Sequence, residues 1–455
     1  MVRGWKLGWV LVAWAAGLHP AWAQQQFVVP QSLTVSNRDR IFPGLYEFSE
    51  AGAVVARVRD SSAIWYNPAG LAASDRTTFS ASSTGYQLTI LGSTNHLDET
   101  SRTASFQGIP NAAGIAFGKE VFDWKGMRLG VGIYNQASWD QSVHLQDNPS
   151  PGTRVSYAMH STFDELVFTG GFGWAATRWL RFGGALLLDY TDTSNVGETS
   201  GDTQDGRNLQ TVIQTIDFSG NTLHLLATGS LQTDPFPFLS LGLVVRTPGM
   251  AILRGANVRY ESQIATLAQH QLALLNDGSA EFDLRKTWKF TLGIAIKFWK
   301  MQLEGDLRWY PASSTYTLLA TQQPVVVTTQ LPGEGTVVTQ QQFASIPFAT
   351  RQVWSGSLGM RLRLSKLVTI HGGLYVDPSP VSAGVNGLFQ KADFVGLRGG
   401  ISFTGFQGLS GSISLGYERG SADTTLAIGG LNVAPLPVEV GFTILNLSFA
   451  ISYKF

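Results

Sequence analysis

The carboxy-terminal segment alternates with a period of two. From Gly441 to Phe455 the odd positions are Gly441, Thr443, Leu445, Leu447, Phe449, Ile451, Tyr453 and Phe455; the even positions from Asn446 onward are Asn446, Ser448, Ala450, Ser452 and Lys454. Side chains of a strand point to opposite faces in turn. This is therefore a strand with one apolar and one small or polar face. Phe282–Phe298, Met301–Trp309, Phe163–Trp174, Trp179–Tyr190, Trp354–Leu364, Leu367–Asp377, Phe394–Phe403 and Leu409–Glu418 repeat the pattern, and alternation over such lengths belongs to strands, not helices. Tight links near Ala176–Arg178, Thr233–Pro235, Trp299, Ser365–Lys366 and Gly405–Gly408 alternate with long polar stretches at His96–Gly108, Ser138–Ser161, Thr193–Gln210, Gln263–Ala280, Pro311–Ala349, Ser379–Lys391 and Ser421–Pro437.

A terminal strand of this kind, ending in Phe, resembles the last strand of bacterial outer-membrane barrels. Short turns alternating with long loops match their two ends, and about 14 antiparallel strands fit the even number of that class. The expected fold is an all-β transmembrane barrel over residues 76–455. Its apolar face would meet lipid, with Tyr453 and Phe455 as the signal read by the barrel-assembly machinery. Residues 1–23 read as a secretory signal peptide: Arg3 and Lys6, an apolar run from Leu7 to Leu18, then Ala21-Trp22-Ala23. The chain has no Cys, so closed backbone hydrogen bonding, not disulfides, must hold the fold. A formal net charge of zero gives no argument for nucleic acid.

Residues 24–75 precede the first strand and are too short for a domain with its own core. They contain the Ala-rich run Ala51–Ala56, read as a possible short helix, and then Asp60-Ser61-Ser62-Ala63-Ile64-Trp65-Tyr66-Asn67-Pro68-Ala69-Gly70-Leu71. Pro68 restricts Asn67 to extended backbone and Gly70 permits close approach. This stretch resembles the amino-terminal plug of the FadL family of outer-membrane transporters for hydrophobic compounds. Trp354–Gly359 and Leu374-Tyr375-Val376-Asp377-Pro378-Ser379-Pro380 resemble a second family motif. The resemblance implies a monomeric plugged barrel that passes long-chain fatty acids or other hydrophobic molecules by diffusion, without a cofactor, through an opening in the wall to the membrane lipids. Such an opening needs a break in the third strand, where Gly130, Gly132 and Asn135 offer a place for a bulge. Asn67, Pro68, Ala69 and Gly70 would be the plug motif.

Catalysis finds no support in the 7 His residues, for no His-Glu-x-x-His pair or phosphate-binding loop occurs; His371 reads as a solvated lumen residue. No metal site is expected. Lys289 and Arg308 fall on the polar faces of consecutive strands, and a turn near Phe298–Trp299 sets them about opposite each other. They suit a cradle for a carboxylate, or else cations balanced by Glu304 and Asp306. Ile264, Leu267, Leu272, Leu274 and Leu275 are spaced as an amphipathic helix over the outer mouth. Two rival functions are open: a non-transporting scaffold for a secretion or surface-attachment complex, to which the Thr/Val/Gln-rich Thr321–Gln342 is suited, and a general porin, against which the plug motif argues.

Overall fold

The computed structural model describes residues 37, 41–94, 100–121, 124–150, 152–205, 208–333, 335–343, 345–382, 391–426 and 436–455. Residues 1–23, read above as a signal peptide, and residues 24–36 and 38–40 lie outside them. The amino-terminal half contributes β1 (Thr78–Thr94), β2 (Thr100–Ala116), β3 (Met127–Ser150), β4 (Thr153–Ala175), β5 (Leu180–Asp205), β6 (Asn208–Phe236), β7 (Leu239–Arg246), β8 (Met250–Thr266), β9 (His270–Phe282) and β10 (Lys289–Phe298). The rest contributes β11 (Met301–Tyr310), β12 (Tyr316–Ala320), β13 (Pro324–Leu331), β14 (Gly335–Gln342), β15 (Ile346–Phe348), β16 (Val353–Arg363), β17 (Val368–Asp377), β18 (Asp393–Thr404), β19 (Leu409–Leu426) and β20 (Leu436–Lys454).

The wall is a closed antiparallel barrel of 14 strands. Closure is made by β20 on β1, from Thr78↔Lys454 to Thr94↔Glu439. Both β7 and β8 pair with β6, so they are two halves of one wall strand, broken at Thr247-Pro248-Gly249. Pro248 has no N–H for the ladder. Likewise β9 and β10 are halves of the next strand, interrupted at 283–288. Between β11 and β16, β12 to β15 form an insertion that pairs back onto β9.

The polarity of the alternation inverts along the strands. On β4, Phe168, Phe172 and Trp174 point outward and are exposed, and Phe163, Met159, Tyr157 and Val155 further along are buried inside. On β20 the inward residues run Ser452, Ser448, Asn446 and then Ile444, Phe442, Val440. Within the bilayer the outer face meets lipid; beyond it the same face meets water, and the apolar residues move to the inner face. Most of the stretches read as polar loops are therefore hairpin extensions of the wall. Ser138–Ser161 lies in β3 and β4, and Thr193–Gln210 falls mostly in β5 and β6.

Four further expectations are corrected. Gln263–Asp277 is the β8–β9 hairpin, not a helix; Ile264 and Leu275 are buried, and Leu267 and Leu274 are exposed. The Ala51–Ala56 run is a series of turns, with Ala51 at φ 52° and Gly52 at φ 69°; the short helix α1 is Ala63–Tyr66. Phe282 and Leu284 do not share the lipid face with Leu292 but are buried in the upper core, because the strand breaks between them. The β6–β7 turn falls at Pro237-Phe238, not Thr233–Pro235.

Candidate functional site

Residues 41–77 lie inside the barrel and are almost wholly buried. Their backbone presses on the wall at glycines. A Cβ at Gly173 would come within 2.6 Å of Pro68 O and Ala72 N, and one at Gly359 within 2.8 Å of Glu50 O, so at these positions only glycine leaves room. Asn67 is extended (φ −158°, ψ 94°) and caps a 3-10 turn over Pro68–Ala73. Its Oδ1 accepts from the Ala69 N–H at 3.2 Å, and its Nδ2 donates to Val55 O at 2.8 Å and Leu231 O at 3.2 Å. The Ala69 N–H also donates to Ser230 Oγ at 3.0 Å. The motif ties the two passes of the inner segment to each other and to β6.

Charged wall residues hold the rest. Val54 and Val55 N–H donate to Asp306 Oδ2 at 3.0 and 3.2 Å, and the Ala56 N–H donates to Glu304 Oε1 at 2.6 Å. Arg308 Nη2 donates to Gly52 O at 2.9 Å and Ser357 Oγ at 3.1 Å. Buried Glu50 pairs with Arg57, with Arg361 at 2.8 Å and with His371 at 2.5 Å. His371 is thus a buried anchor of the inner segment, not a solvated lumen residue. Such buried charges are costly unless paired, and here the wall supplies the partners.

Lys289 and Arg308 are not opposite each other. Arg308 faces Thr291, and Lys289 faces Arg246 of β7 on its other side. The register is offset by two because β10 and β11 turn tightly at Trp299-Lys300, with Trp299 at φ 52°. Lys289 Nζ sits 5.3 Å from the Tyr310 ring. Both cations, with Arg246 and Tyr66, line one small void of about 30 Å³.

Among the described residues the wall has a short ladder at the seam between β2 and β3. The β2–β3 ladder has 5 residue pairs, Ala112↔Tyr134 to Ala116↔Gly130. The β1–β2 ladder, in contrast, runs on to Thr94↔Thr100, and β3–β4 to Ser150↔Thr153. Gly130 and Gly132 belong to those five pairs. Asn135 stands at the bulge that follows, where the β3–β4 register passes from Asn135↔Leu166 to Ala137↔Glu165. Above the seam lies the largest apolar cluster. It joins Phe163, Phe218, Tyr260, Leu275 and the insertion residues Leu318 and Phe348, and it reaches Ala137 at the bulge, with Trp139 packed against it. Leu275, Leu318 and Phe348 of this apolar mouth were hidden in sequence because they lie in Gln263–Ala280 and Pro311–Ala349, which read as polar loops. Glu50 and Arg57, seven residues apart in an apolar segment, were an available but unused signal of buried pairing.

At the opposite rim Tyr453 and Phe455 pack edge to face, 4.8 Å between centroids, and the Phe455 N–H donates to Thr77 O at 3.0 Å. Among the described residues no group of three or more His, Asp or Glu could hold a metal ion.

No family model matches the chain, and no curated protein matches it by sequence. Solved structures do match. A FadL homologue of Pseudomonas aeruginosa superposes with a TM-score of 0.62 at 12% identity, over 92% of this chain and 100% of that one. The Pseudomonas putida toluene transporter TodX gives 0.57 at 12%, over 92% and 99%. The Ralstonia pickettii toluene transporter TbuX gives 0.53 at 12%, over 90% and 98%. The chain therefore has the fold of the FadL-type barrels.

Proposed function

We propose that this protein is an outer-membrane channel for hydrophobic compounds, passive and without bond chemistry. Solutes pass from the apolar mouth sideways through the β2–β3 seam into the lipid. The observation that carries this reading is the meeting of the apolar cluster with the bulge at Ala137, beside the stretch where the ladder is missing. Below that level the lumen is filled by residues 41–77, packed against the wall and ion-paired to it, so a solute moving straight down would have to displace them. That the similar structures include toluene transporters supports an apolar cargo.

A carboxylate-bearing solute is the second substrate reading. Lys289, Arg246 and Arg308 line one void with the Tyr66 hydroxyl, a set suited to a head group. Expression in a strain unable to take up hydrocarbons tests the function. Labelled toluene or oleate should enter faster with the protein than without it, whereas a sugar should not. Equal uptake of all three would indicate a porin, and uptake of none a scaffold.

A further inference from the structure

We infer that Thr103, Ser105 and Gln107 form a latch across the β2–β3 seam that must release before a solute leaves the barrel; the inference rests on the lateral route proposed above. Where the backbone ladder ends, side chains take its place. Gln107 Nε2 donates to Ser138 Oγ at 2.7 Å, Ser105 Oγ to the Asp140 carbonyl at 3.4 Å, and Thr103 Oγ1 to the Ser142 carbonyl at 2.9 Å. All three reach from β2 onto successive alternate residues of β3, as the teeth of one fastening.

A backbone ladder cannot open without moving both strands. A side-chain bond releases by rotation about χ1 and χ2, on the picosecond to nanosecond scale for exposed groups. Release leaves little unsatisfied. Ser138 Oγ already donates to Asp164 Oδ1 at 2.6 Å, and Asp140 and Ser142 are exposed to solvent. The two sides of the latch differ as a gate requires. Within lie Ala137 and Trp139 of the apolar mouth. Outside, directly below the latch, is an apolar groove of about 630 Å³ on the lipid face, lined by Phe79, Ala113, Ile115, Val131, Ile133 and Phe168. A solute freed at the seam meets apolar surface at once.

Each bond of this kind is worth roughly two- to tenfold in an equilibrium. The test uses N-phenyl-1-naphthylamine, which fluoresces on entering lipid, added to intact cells producing the full chain. Two proteins are compared with the parent: Thr103→Val/Ser105→Ala/Gln107→Leu, and Thr103→Cys/Ser142→Cys bridged by a short bis-thiol reagent, specific here because the chain has no other Cys. Ser105→Ala alone serves as the mildest variant, and heat-modifiability on gels verifies folded barrel. The latch predicts dye entry faster by about tenfold in the triple variant, in the same direction but smaller in Ser105→Ala, and slowed in the bridged protein. Unchanged entry in both unlatched variants with slowing in the bridged protein overturns the latch and leaves the lateral route standing. Parental entry in the bridged protein overturns the route and the latch with it.

Discussion

Glu50 Oε1 of the inner segment lies 2.5 Å from Nδ1 of His371 on β17, and Arg361 Nε donates to the same oxygen at 2.8 Å. With Arg57 on the other carboxylate oxygen, one buried anion holds three cation-capable groups from the inner segment and two wall strands. Removing one partner of a buried pair leaves the others uncompensated and costs about 3–5 kcal/mol. Glu50→Ala should therefore loosen the inner segment while the barrel stays folded. Single-channel recording should show raised or flickering ion conductance; a silent channel like the parent would mean that the ion pairs do not hold it.

The close approach at Gly183 gives a steric version of the same test. A Cβ there would meet Ala69 and Pro68 backbone atoms closer than real contacts allow. Gly183→Val should displace the Asn67–Gly70 motif and raise conductance, as deletion of residues 24–71 should. Gly229, where a Cβ meets nothing within 4 Å, should accept Ala without effect. Equal conductance in both substitutions would count against the packing of the motif on β5.

Leu447 faces outward between Leu415 and Tyr86. A lysine there costs about 2–4 kcal/mol near the midplane, so Leu447→Lys should lower the amount of heat-modifiable barrel. Deleting Phe455 should lower it too, through the lost bond to Thr77 and the lost ring contact with Tyr453. Immunoblots of outer-membrane fractions check both.

The offset of Lys289 and Arg308 separates their roles. Arg308 is bound to the carbonyl of Gly52, so Arg308→Gln should raise ion conductance. Lys289→Gln should not; it should weaken oleate binding by roughly tenfold, the loss of one charge-assisted bond, and spare toluene. Isothermal titration of both ligands distinguishes these outcomes, and equal weakening of the two would assign Lys289 to packing.

Above the bilayer, buried Asp277 of β9 fastens the insertion to that strand. It accepts from the N–H groups of Gln322, Gln323 and Ser279 and from the Ser279 hydroxyl. Burial acts against the charged form, but these donors outweigh it and hold the carboxyl below its ordinary value. A depressed carboxyl stabilises the fold above its unfolded pKa, and the contribution fades as pH falls through the lower folded value. Limited proteolysis should cut near 321–324 more readily in strong acid than at neutral pH. Asp277→Ala should be cut readily at both.

By itself the sequence determined the barrel, because a period of two with an apolar face is a statement about strands and about a solvent that is not water. It also marked the inner segment, since Asn67-Pro68-Ala69-Gly70 admits few backbone conformations. It could not place the upper half of the wall. There the outer face returns to water and the alternation changes sign, so that Tyr157, Leu275 and Leu318 sit in stretches that read as polar loops. Lys289 and Arg308 were put on the correct face and the wrong register, because the exact position of a two-residue turn decides which side chains meet. Only the tertiary structure decided what His371 does, as its pairing with Glu50 joins residues more than three hundred positions apart. The partners across the seam, too, belong to the fold alone: Thr103, Ser105 and Gln107 lie in His96–Gly108, which read as a polar loop, and only the short β2–β3 ladder sets them opposite Ser142, Asp140 and Ser138.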